Sequence, residues 1–435
     1  MVDFRQTHFS DLSNSNRFLW CTGIEDTFIT APDPKTGRSL DEYELTGHYD
    51  RWNSDLNLMA ELRVPCARYG IPWHRINPHC GVWEWEWADR PLEKLLDLGI
   101  APIVDLVHYG LPPWIENAFL NPDYPQHVAE YASRVAERFK GRIHAYTPLN
   151  EPRITAWYCG RIGWWPPFRH GWTGFVEVMK GVCRGIVATV EALQAVDPEI
   201  LPVHVDATDL YVTTNPALND EAQHRQELVF LALDLISGRV TTEHSLYGWL
   251  VEHGFTTSDL EWFEAHAVRL PFIGINLYPM FTYKVLSRSA RSRLRISMVY
   301  AGGQLIDDLS ALYWTRYRAP LFISETASTG SVRRRQEWLD ASVEAVRRVR
   351  ASGVPLIGYT WWPMFALVTW AYRQGAHPPK YYLKQMGLWD LDDEFTRLPT
   401  PLVHSFRQLV QGGNHAVGLV PNPAEIASAA LGRLT

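Results

Sequence analysis

The stretch Thr147-Pro148-Leu149-Asn150-Glu151-Pro152 follows an apolar run, Ile143 to Tyr146. The run predicts a short buried strand, and the prolines predict that the strand ends there. Glu151 is therefore expected where a strand passes into a loop, the position at which a barrel exposes a reactive side chain. Taken alone, the same glutamate could equally be a turn or helix-capping acid before a proline.

A second glutamate has the same setting further along the chain. The run Pro320-Leu321-Phe322-Ile323-Ser324 predicts another buried strand, and Glu325 follows it directly. Glycoside hydrolysis uses two carboxyl groups on one rim, because one protonates the departing oxygen while the other attacks the anomeric carbon or activates water against it. The pair Glu151 and Glu325 indicates that chemistry.

Apolar runs and helical spacings alternate along the chain. Strands are predicted at residues 18–22, 66–73, 101–108, 143–146, 201–205, 272–278, 321–324 and 356–362. Helices are predicted at residues 49–62, 91–98, 127–139, 175–196, 221–236, 334–350 and 401–410. Eight strands alternating with helices, without a linker or low-complexity break, predict an α/β fold, a single (β/α)8 TIM barrel with one domain over residues 1–435.

Composition and charge argue against several classes of protein. The 435 residues are 46% hydrophobic and 20% charged, which is typical of a globular protein with a large core. No apolar run approaches the roughly 20 residues of a membrane-spanning helix. A formal charge of −7 with scattered basic residues argues against nucleic acid as a partner.

The cysteines and histidines give no sign of a cofactor. The five cysteines are odd in number and lack a Cys-x-x-Cys spacing; they are Cys21, Cys66, Cys80, Cys159 and Cys183. Together with an N-terminus that lacks a secretory signal, they predict reduced core thiols in a cytoplasmic protein. No His-x-x-x-His spacing predicts a metal site, and no glycine-rich loop after the first strand predicts a nucleotide site. We therefore expect no metal and no cofactor.

Seven polar or aromatic residues fall at or just after predicted strand ends. On a barrel these positions face one mouth. Each residue has an ordinary alternative, such as a satisfied core histidine, a core phenol or a turn asparagine, so only the shared position argues for a site. The seven are His108, Asn150, Glu151, Asn276, Tyr278, Glu325 and Trp362.

Motifs along nearly the whole chain resemble, in order, those of glycoside hydrolase family 1, the β-glucosidase family. The two signature segments of that family resemble residues 147–152 and Phe322-Ile323-Ser324-Glu325. The other similar segments are Phe18-Leu19-Trp20, Arg68-Tyr69-Gly70-Ile71-Pro72-Trp73, His108-Tyr109-Gly110-Leu111-Pro112, Gly274-Ile275-Asn276-Leu277-Tyr278, Gly358-Tyr359 with Trp362 to Trp370, and Gly387-Leu388-Trp389-Asp390.

The resemblance implies a retaining β-glycosidase with no cofactor. Glu151 would be the general acid/base and Glu325 the nucleophile, with the two carboxyl groups roughly 5–5.5 Å apart. Glu151 must start protonated, which burial and a neighbouring carboxylate favour. Arg68 and Tyr278 match the positions that hold Glu325 ionised, and Asn276 matches a further catalytic position.

The resemblance also implies contacts to the sugar of a small-molecule glycoside or oligosaccharide. Asn150 matches the residue that binds the 2-hydroxyl, and His108 matches a contact to the 3-hydroxyl. Trp362 matches the floor on which the sugar ring packs, and Trp370 an aromatic contact beside it.

Two positions depart from the pattern of the family. Phe28 stands where the family has a glutamine that grips the outer hydroxyls, and Thr369 where it has a glutamate for the 4- and 6-hydroxyls. An apolar replacement leaves such a hydroxyl unpaired, so the glycone is not expected to be plain glucose. Thr369 is similar to the serine of the 6-phospho-glycosidase branch, and Lys380 and Tyr382 lie nearby, whereas Phe28 and Trp370 do not fit that branch.

Three alternatives stay open at this point. The protein could be a 6-phospho-β-glycosidase, or a non-catalytic sugar-binding barrel. It could also be a transglycosylase whose acceptor packs on Trp114, Trp164 or Trp165. The sequence leaves room for a homo-oligomer and does not decide it.

Overall fold

The chain folds around a barrel of parallel strands. The computed structural model describes residues 18–420. In chain order the barrel strands are β1 (Leu19–Gly23), β2 (Cys66–Gly70), β3 (Ala101–Asp105), β4 (Ala145–Thr147), β5 (Leu201–Pro202 and His204–Ala207), β6 (Ile273–Asn276), β7 (Leu321–Thr326) and β8 (Leu356–Trp361).

Strand pairing closes the barrel. β1 pairs in parallel with both β2 and β8, and each later strand pairs with its successor. β5 is interrupted at Val203, so its first segment pairs with β4 and its second with β6. The predicted TIM barrel is therefore confirmed, and the carboxyl ends of all eight strands meet at one mouth.

A long helix follows every barrel strand and packs outside it. The eight helices are α1 (His48–Glu61), α2 (Glu86–Asp97), α3 (Tyr124–Arg138), α4 (Gly171–Val196), α5 (Asn219–Ile236), α6 (Gln304–Tyr317), α7 (Val332–Ala351) and α8 (Pro401–Gly412). The stripe predicted on α4 is buried from Phe175 to Leu193, as expected for a helix that packs one apolar face on a barrel.

Shorter elements connect or follow the barrel strands and the long helices. The helical ones are Glu42–Leu45, Trp73–Ile76, Pro152–Ala156, Trp157–Arg161, Tyr247–Glu252 and Thr257–Ala265, with short turns at Ala118–Leu120, Pro216–Leu218, Trp370–Tyr372, Pro379–Tyr382 and Gly413–Ala416. The small sheets comprise Leu210–Thr213 with Tyr283–Arg288 and Leu294–Met298, Phe28–Ile29 with Leu40–Asp41, Leu367–Val368 with Leu383–Lys384, and Trp389–Leu391 with Arg397–Pro399.

Several sequence predictions need correction. Helix α6 was not predicted, although its buried residues Leu305, Ile306, Leu309, Ser310 and Tyr313 recur at helical spacing. β2 ends at Gly70 instead of Trp73, and β6 ends at Asn276 instead of Tyr278, since an apolar run does not mark where pairing stops. The prediction of one domain over residues 1–435 includes residues 1–17 and 421–435, which lie outside the described residues, and it stays a prediction.

The expectation of five reduced cysteines is wrong for Cys21 and Cys66. These residues are direct partners in the β1–β2 pairing, so both side chains point into the barrel interior, where they form a disulfide. Because the two cysteines are 45 residues apart in the sequence, their spacing did not indicate that they are neighbours in the fold. Cys159 and Cys183 are buried free thiols, and Cys80 is exposed.

The described helices do not include one that is long and apolar enough to cross a membrane.

A substitution at Gly23, the last residue of β1, tests how tightly the mouth is packed. A Cβ atom there would lie 2.1 Å from the Trp362 ring and 2.7 Å from the carbonyl oxygen of Arg68. We expect Gly23→Ala to lower the free energy of unfolding by about 1–3 kcal/mol, because the indole cannot move away from a packed neighbour. Urea unfolding measures the change.

Gly248 provides the matched control, because a Cβ atom there meets nothing within 4 Å. Gly248→Ala in the short helix Tyr247–Glu252 should be neutral or stabilising by about 0.4–1 kcal/mol. Equal effects of the two substitutions would contradict the packing described for Gly23.

Candidate active site

Glu325 is aimed into the barrel by an irregularity in β7. Along that strand Phe322 faces the barrel interior and Ile323 faces the helices, so strict alternation would turn Glu325 outward. The pairing with β6 skips Ser324, since Ile275 opposes Ile323 and Asn276 opposes Glu325. Such a bulge re-aims the next side chain, and Glu325 consequently enters the mouth beside Ser324.

The Glu325 carboxylate is held by one charged and one neutral donor. Arg68 Nη1 donates to its Oε1 at 2.5 Å, and the Tyr278 hydroxyl donates to its Oε2 at 2.8 Å. Arg68 is fully buried, and its Nη2 also donates to Asp105 at 2.5 Å and to Asn150 Oδ1 at 3.0 Å. The guanidinium thus links strands β2, β3 and β7 through side chains.

Glu151 stands at the turn from β4 into the helix Pro152–Ala156. Its backbone is left-handed, with φ 48° and ψ 68°, and its N–H donates to Val205 at 3.2 Å. Although Glu151 is the N-cap of that helix, its side chain makes no capping bond. The Glu151 carboxyl group therefore does not act as a helix cap.

The Glu151 carboxyl group faces the same mouth as Glu325. Asn276 Nδ2 donates to its Oε1 at 2.9 Å, and the Tyr109 hydroxyl donates to its Oε2. The Ser324 hydroxyl donates to Asn276 Oδ1 at 2.6 Å, which turns the Asn276 amide so that its N–H points at Glu151. Asn276 therefore connects the two strands that carry the carboxyl groups.

Burial raises the pKa of both carboxyl groups. The pKa of Glu151 is raised by burial, against bonds from Tyr109 and Asn276 that lower it. Burial raises the pKa of Glu325 to about 8, with Arg68 lowering it and Glu151 raising it. The pair therefore holds at least one proton near neutral pH. Because Glu325 contacts a full positive charge and Glu151 only neutral donors, the proton belongs on Glu151.

His108 and Trp362 line the same mouth. His108 Nδ1 lies 2.5 Å from Asp26, and its Nε2 lies 2.9 Å from Asn150 Nδ2. The Trp362 ring lies parallel to His108, with centroids 5.9 Å apart, and Arg68 Cζ lies 4.7 Å from its centroid. The indole N–H donates to Glu25 at 3.1 Å.

The side chains of Phe28 and Thr369, the two positions that depart from the family pattern, do not join this network. Phe28 is buried in the core, where its ring packs edge-on against Tyr43 at 5.0 Å and near His74 at 5.6 Å. Thr369 begins the turn Trp370–Tyr372 and donates its N–H to Tyr382 at 2.8 Å. The structure thus brings together every predicted polar site residue except Thr369.

Aromatic rings form one wall of the mouth. The Trp370 ring lies 5.2 Å from Tyr109, 5.2 Å from Tyr158 and 5.1 Å from Trp165. Trp165 is fully buried, whereas Trp164 is 44% exposed.

Sequence reasoning missed three residues of the network. They are Asp105, Tyr109 and Ser324. Asp105 ends β3 in the structure, whereas the predicted strand continued to His108 and placed Asp105 inside it. Tyr109 was visible only as an aromatic next to His108, and nothing in the sequence indicated that its hydroxyl points at Glu151.

Two groups of acidic and imidazole side chains have ligand atoms close enough for a metal ion. Among the described residues they are Asp26 with Asp105 and His108, and Glu227 with Asp234 and His244. An arginine is already bound in each, because Arg68 lies 2.5 Å from Asp105 and Arg316 lies 2.6 Å from Asp234. These arrangements favour ion pairs over a metal centre.

Comparison with known proteins shows a similarity to one family. The model of the family described as glycosyl hydrolase family 1 matches residues 21–231, which include Arg68, Asn150 and Glu151. Over these residues, just under half of its length, the chain is similar to glycosyl hydrolase family 1. Asn276, Tyr278 and Glu325 lie beyond the matched residues.

Curated relatives match over part of their length. A bifunctional beta-D-glucosidase/beta-D-fucosidase from Bifidobacterium breve is 36% identical over 131 residues, which are 28% of this chain and 27% of that protein. Beta-glucosidase A from Thermotoga maritima is 30% identical over 115 residues, which are 25% of this chain and 26% of that protein. The chain thus aligns with about a quarter of the length of these relatives.

Solved structures match over nearly the whole fold. The beta-glucosidase from Thermotoga maritima in complex with glucoimidazole superposes with a TM-score of 0.79 at 18% identity, covering 93% of this chain and 100% of that one. The AHE enzyme from Alicyclobacillus herbarius superposes with a TM-score of 0.76 at 23% identity, covering 90% and 97%. At these identities the likeness shows a shared fold.

The raised pKa of the Glu151–Glu325 pair predicts a pH-dependent stability. Burial raises the pKa of both carboxyl groups, that of Glu325 from 4.5 to about 8, so between these values the folded protein holds a proton on the pair that the unfolded chain has released. Stability is therefore lost as the pH rises towards about 8. Glu325→Gln removes one of the two groups, so its free energy of unfolding should fall less steeply with rising pH than that of the wild type, by up to about 1.4 kcal/mol per pH unit.

Urea unfolding of both proteins at pH 5 to 9 measures the difference. The exposed Glu61, at the end of α1, gives the control variant Glu61→Gln, which should run parallel to the wild type. A Glu325→Gln curve that also runs parallel would contradict the burial cost assigned to this carboxyl group.

Proposed function

We propose that this protein is a retaining β-glycosidase, which hydrolyses a β-linked glycoside through a covalent glycosyl-enzyme intermediate. The observation that supports the proposal is the unequal environment of two carboxyl groups in one barrel mouth. Glu325 is paired with the charged Arg68, and Glu151 contacts only the neutral donors Tyr109 and Asn276. One ionised and one protonated carboxyl group are what the reaction uses.

In the first step Glu325 acts as the nucleophile. Its ionised oxygen attacks the anomeric carbon while Glu151 gives its proton to the glycosidic oxygen, and the leaving alcohol departs. Arg68 and Tyr278 hold Glu325 in place and balance its charge until it becomes an ester. In the second step Glu151 takes a proton from water, the water attacks the anomeric carbon, and Glu325 is released.

The other residues position the sugar and the acid/base. Asn276 holds Glu151 at 2.9 Å, and Trp362 offers a buried aromatic face on which a sugar ring can pack. The His108 ring lies parallel to Trp362, and Trp370 lies in the aromatic wall of the same mouth. No cofactor is needed for this chemistry.

The glycone is proposed to differ from plain glucose. Phe28 and Thr369 stand where the similar family has two polar contacts to the sugar. Neither side chain adds a polar group to the network of the active site. A 6-phospho-sugar has little support, because Lys380 pairs with Asp393 at 2.8 Å on the surface. Transglycosylation remains the second candidate, favoured by the exposed Trp164 beside the aromatic wall, on which an acceptor alcohol could pack.

Location and assembly stay predictions. The cytoplasmic location was argued in part from reduced thiols, and the Cys21–Cys66 disulfide removes that argument. A homo-oligomer has neither support nor contradiction from the described residues.

Substitution of either carboxyl group should stop turnover while the fold survives. We expect Glu151→Gln to lower kcat by about 10²–10⁴-fold through loss of acid/base catalysis, and Glu325→Gln to abolish turnover through loss of the nucleophile. Initial rates on nitrophenyl β-glucoside, galactoside, fucoside, xyloside, glucuronide and 6-phospho-glucoside measure this. The control Glu61→Gln should match the wild type, and near-normal activity in either active-site variant would sink the assignment.

The stereochemistry of the first product tests the retaining mechanism separately. Nuclear magnetic resonance of the sugar released from the best substrate should show the β-anomer first, followed by slow equilibration. Repeating the reaction with methanol should give the methyl β-glycoside if the intermediate is open to acceptors. An initial α-anomer would instead show inversion and would exclude Glu325 as the nucleophile.

A further inference from the structure

The hydroxyl group of Tyr109 lies between the two residues that are expected to act on the sugar. It donates to Glu151 Oε2 and accepts from Asn150 Nδ2 at 2.9 Å. Tyr109 is 3% exposed, so this phenol is part of the wall of the mouth. A phenylalanine at this position would keep the ring and lack that hydroxyl.

The backbone fixes Tyr109 in this orientation. Its φ of 72° is left-handed, a conformation that residues other than glycine adopt only when their surroundings enforce it. On one side the His108 carbonyl accepts the Phe28 N–H at 3.2 Å, and on the other a Cβ atom at Gly110 would lie 1.5 Å from the Phe28 carbonyl oxygen. The segment from His108 to Gly110 is therefore pressed against the Phe28 backbone.

Ring packing completes the restraint. The Tyr109 ring lies 4.6 Å from His108, 5.2 Å from Trp165 and 5.2 Å from Trp370. A ring enclosed on three sides cannot swing out of the mouth without moving its neighbours. The hydroxyl is thus a permanent feature of the site.

Asn150 has no hydrogen-bonding capacity left for a substrate. Its Nδ2 donates to His108 Nε2 at 2.9 Å and to Tyr109 at 2.9 Å, which uses both amide hydrogens. Its Oδ1 accepts from Arg68 at 3.0 Å and from Asn276 at 3.3 Å, which uses both lone pairs. The bond from the charged Arg68 fixes which end of the amide is the oxygen.

We propose that the Tyr109 hydroxyl takes the place of the sugar 2-hydroxyl, and that the substrate is a 2-deoxy-β-glycoside. The proposal rests on the proposed function, because it names the sugar that the Glu151–Glu325 site accepts. Retaining glycosidases bind the 2-hydroxyl with groups that tighten in the transition state. Here the matching residue, Asn150, binds a protein hydroxyl instead. A substrate 2-hydroxyl would have to replace the Tyr109 hydroxyl at Asn150 and leave that buried phenol without its Asn150 donor, whereas a C2 methylene leaves the network intact.

Paired substrates test the proposal. The ratio of kcat/KM for a nitrophenyl 2-deoxy-β-glycoside to that for its 2-hydroxy counterpart is measured for the glucose, galactose and fucose pairs, after subtraction of spontaneous hydrolysis. We expect the ratio to exceed 1 in the wild type. In Tyr109→Phe it should fall at least 10-fold, because one Asn150 N–H becomes free for a 2-hydroxyl. The intrinsic reactivity of the substrates cancels when the variants are compared.

Tyr131 on α3 provides the matched control. It is a buried phenol that stacks on Trp73 at 4.6 Å and donates to Ile71 at 3.4 Å, so Tyr131→Phe also removes one buried hydroxyl. This variant should keep the wild-type ratio. An unchanged ratio in Tyr109→Phe overturns the proposal. A preference of the wild type of more than 10-fold for the 2-hydroxy substrate also overturns it, and this second test does not require Tyr109→Phe to fold.

A binding measurement separates this proposal from the proposed function. If no glycoside of the panel is turned over, the proposed hydrolysis fails. Isothermal titration calorimetry then measures the Kd of methyl 2-deoxy-β-glycosides and of the matching methyl β-glycosides. The ratio of the two Kd values is compared between the wild type and Tyr109→Phe. Tighter binding of the 2-deoxy sugar to the wild type supports the role of Tyr109. Tighter binding of the 2-hydroxy sugar, or no binding of either, overturns it.

Discussion

The buried guanidinium of Arg68 is the interaction on which the rest of the site depends. It contacts Asp105, Asn150 and Glu325 and lies against the face of Trp362. A buried charge is tolerated only when it is paired and fully hydrogen-bonded, and removing one partner of such a pair typically costs about 3–5 kcal/mol. The four residues come from four barrel strands or the loops after them, so the barrel geometry and the charge balance support each other.

This balance also explains why two buried carboxyl groups can differ. Both are removed from water, which raises the pKa of each, yet only Glu325 contacts a positive charge. Glu151 is instead enclosed by the amide of Asn276 and the phenol of Tyr109. In the proposed mechanism, the difference between the acid and the nucleophile is thus created by neighbours on β2, on β6 and in the loop after β3, since the two glutamate side chains are chemically identical.

The sequence predicted what depends on strand order and missed what depends on side-chain direction. The barrel, the placement of Glu151 and Glu325 at one mouth and the grouping of Asn150 with Asn276 follow from apolar runs and the positions of polar residues after them. Arg68 lies inside a predicted strand, so only the family resemblance indicated its place in the site. The Cys21–Cys66 disulfide could not be predicted, because strand register decides which cysteines are neighbours. The ring of Phe28 faces the core, and the hydroxyl of Tyr109 faces Glu151 from a left-handed backbone; the sequence pattern indicated neither direction.

In the proposed mechanism Glu325 forms a covalent bond with the sugar. Incubation with a 2-deoxy-2-fluoro-β-glycosyl fluoride of the best-accepted glycone should trap this bond, because fluorine slows hydrolysis of the glycosyl-enzyme. We expect intact-mass measurement and peptide mapping to show one added glycosyl mass, carried by the peptide that contains Glu325. Turnover without any adduct, or an adduct on another carboxyl group, would exclude Glu325 as the nucleophile.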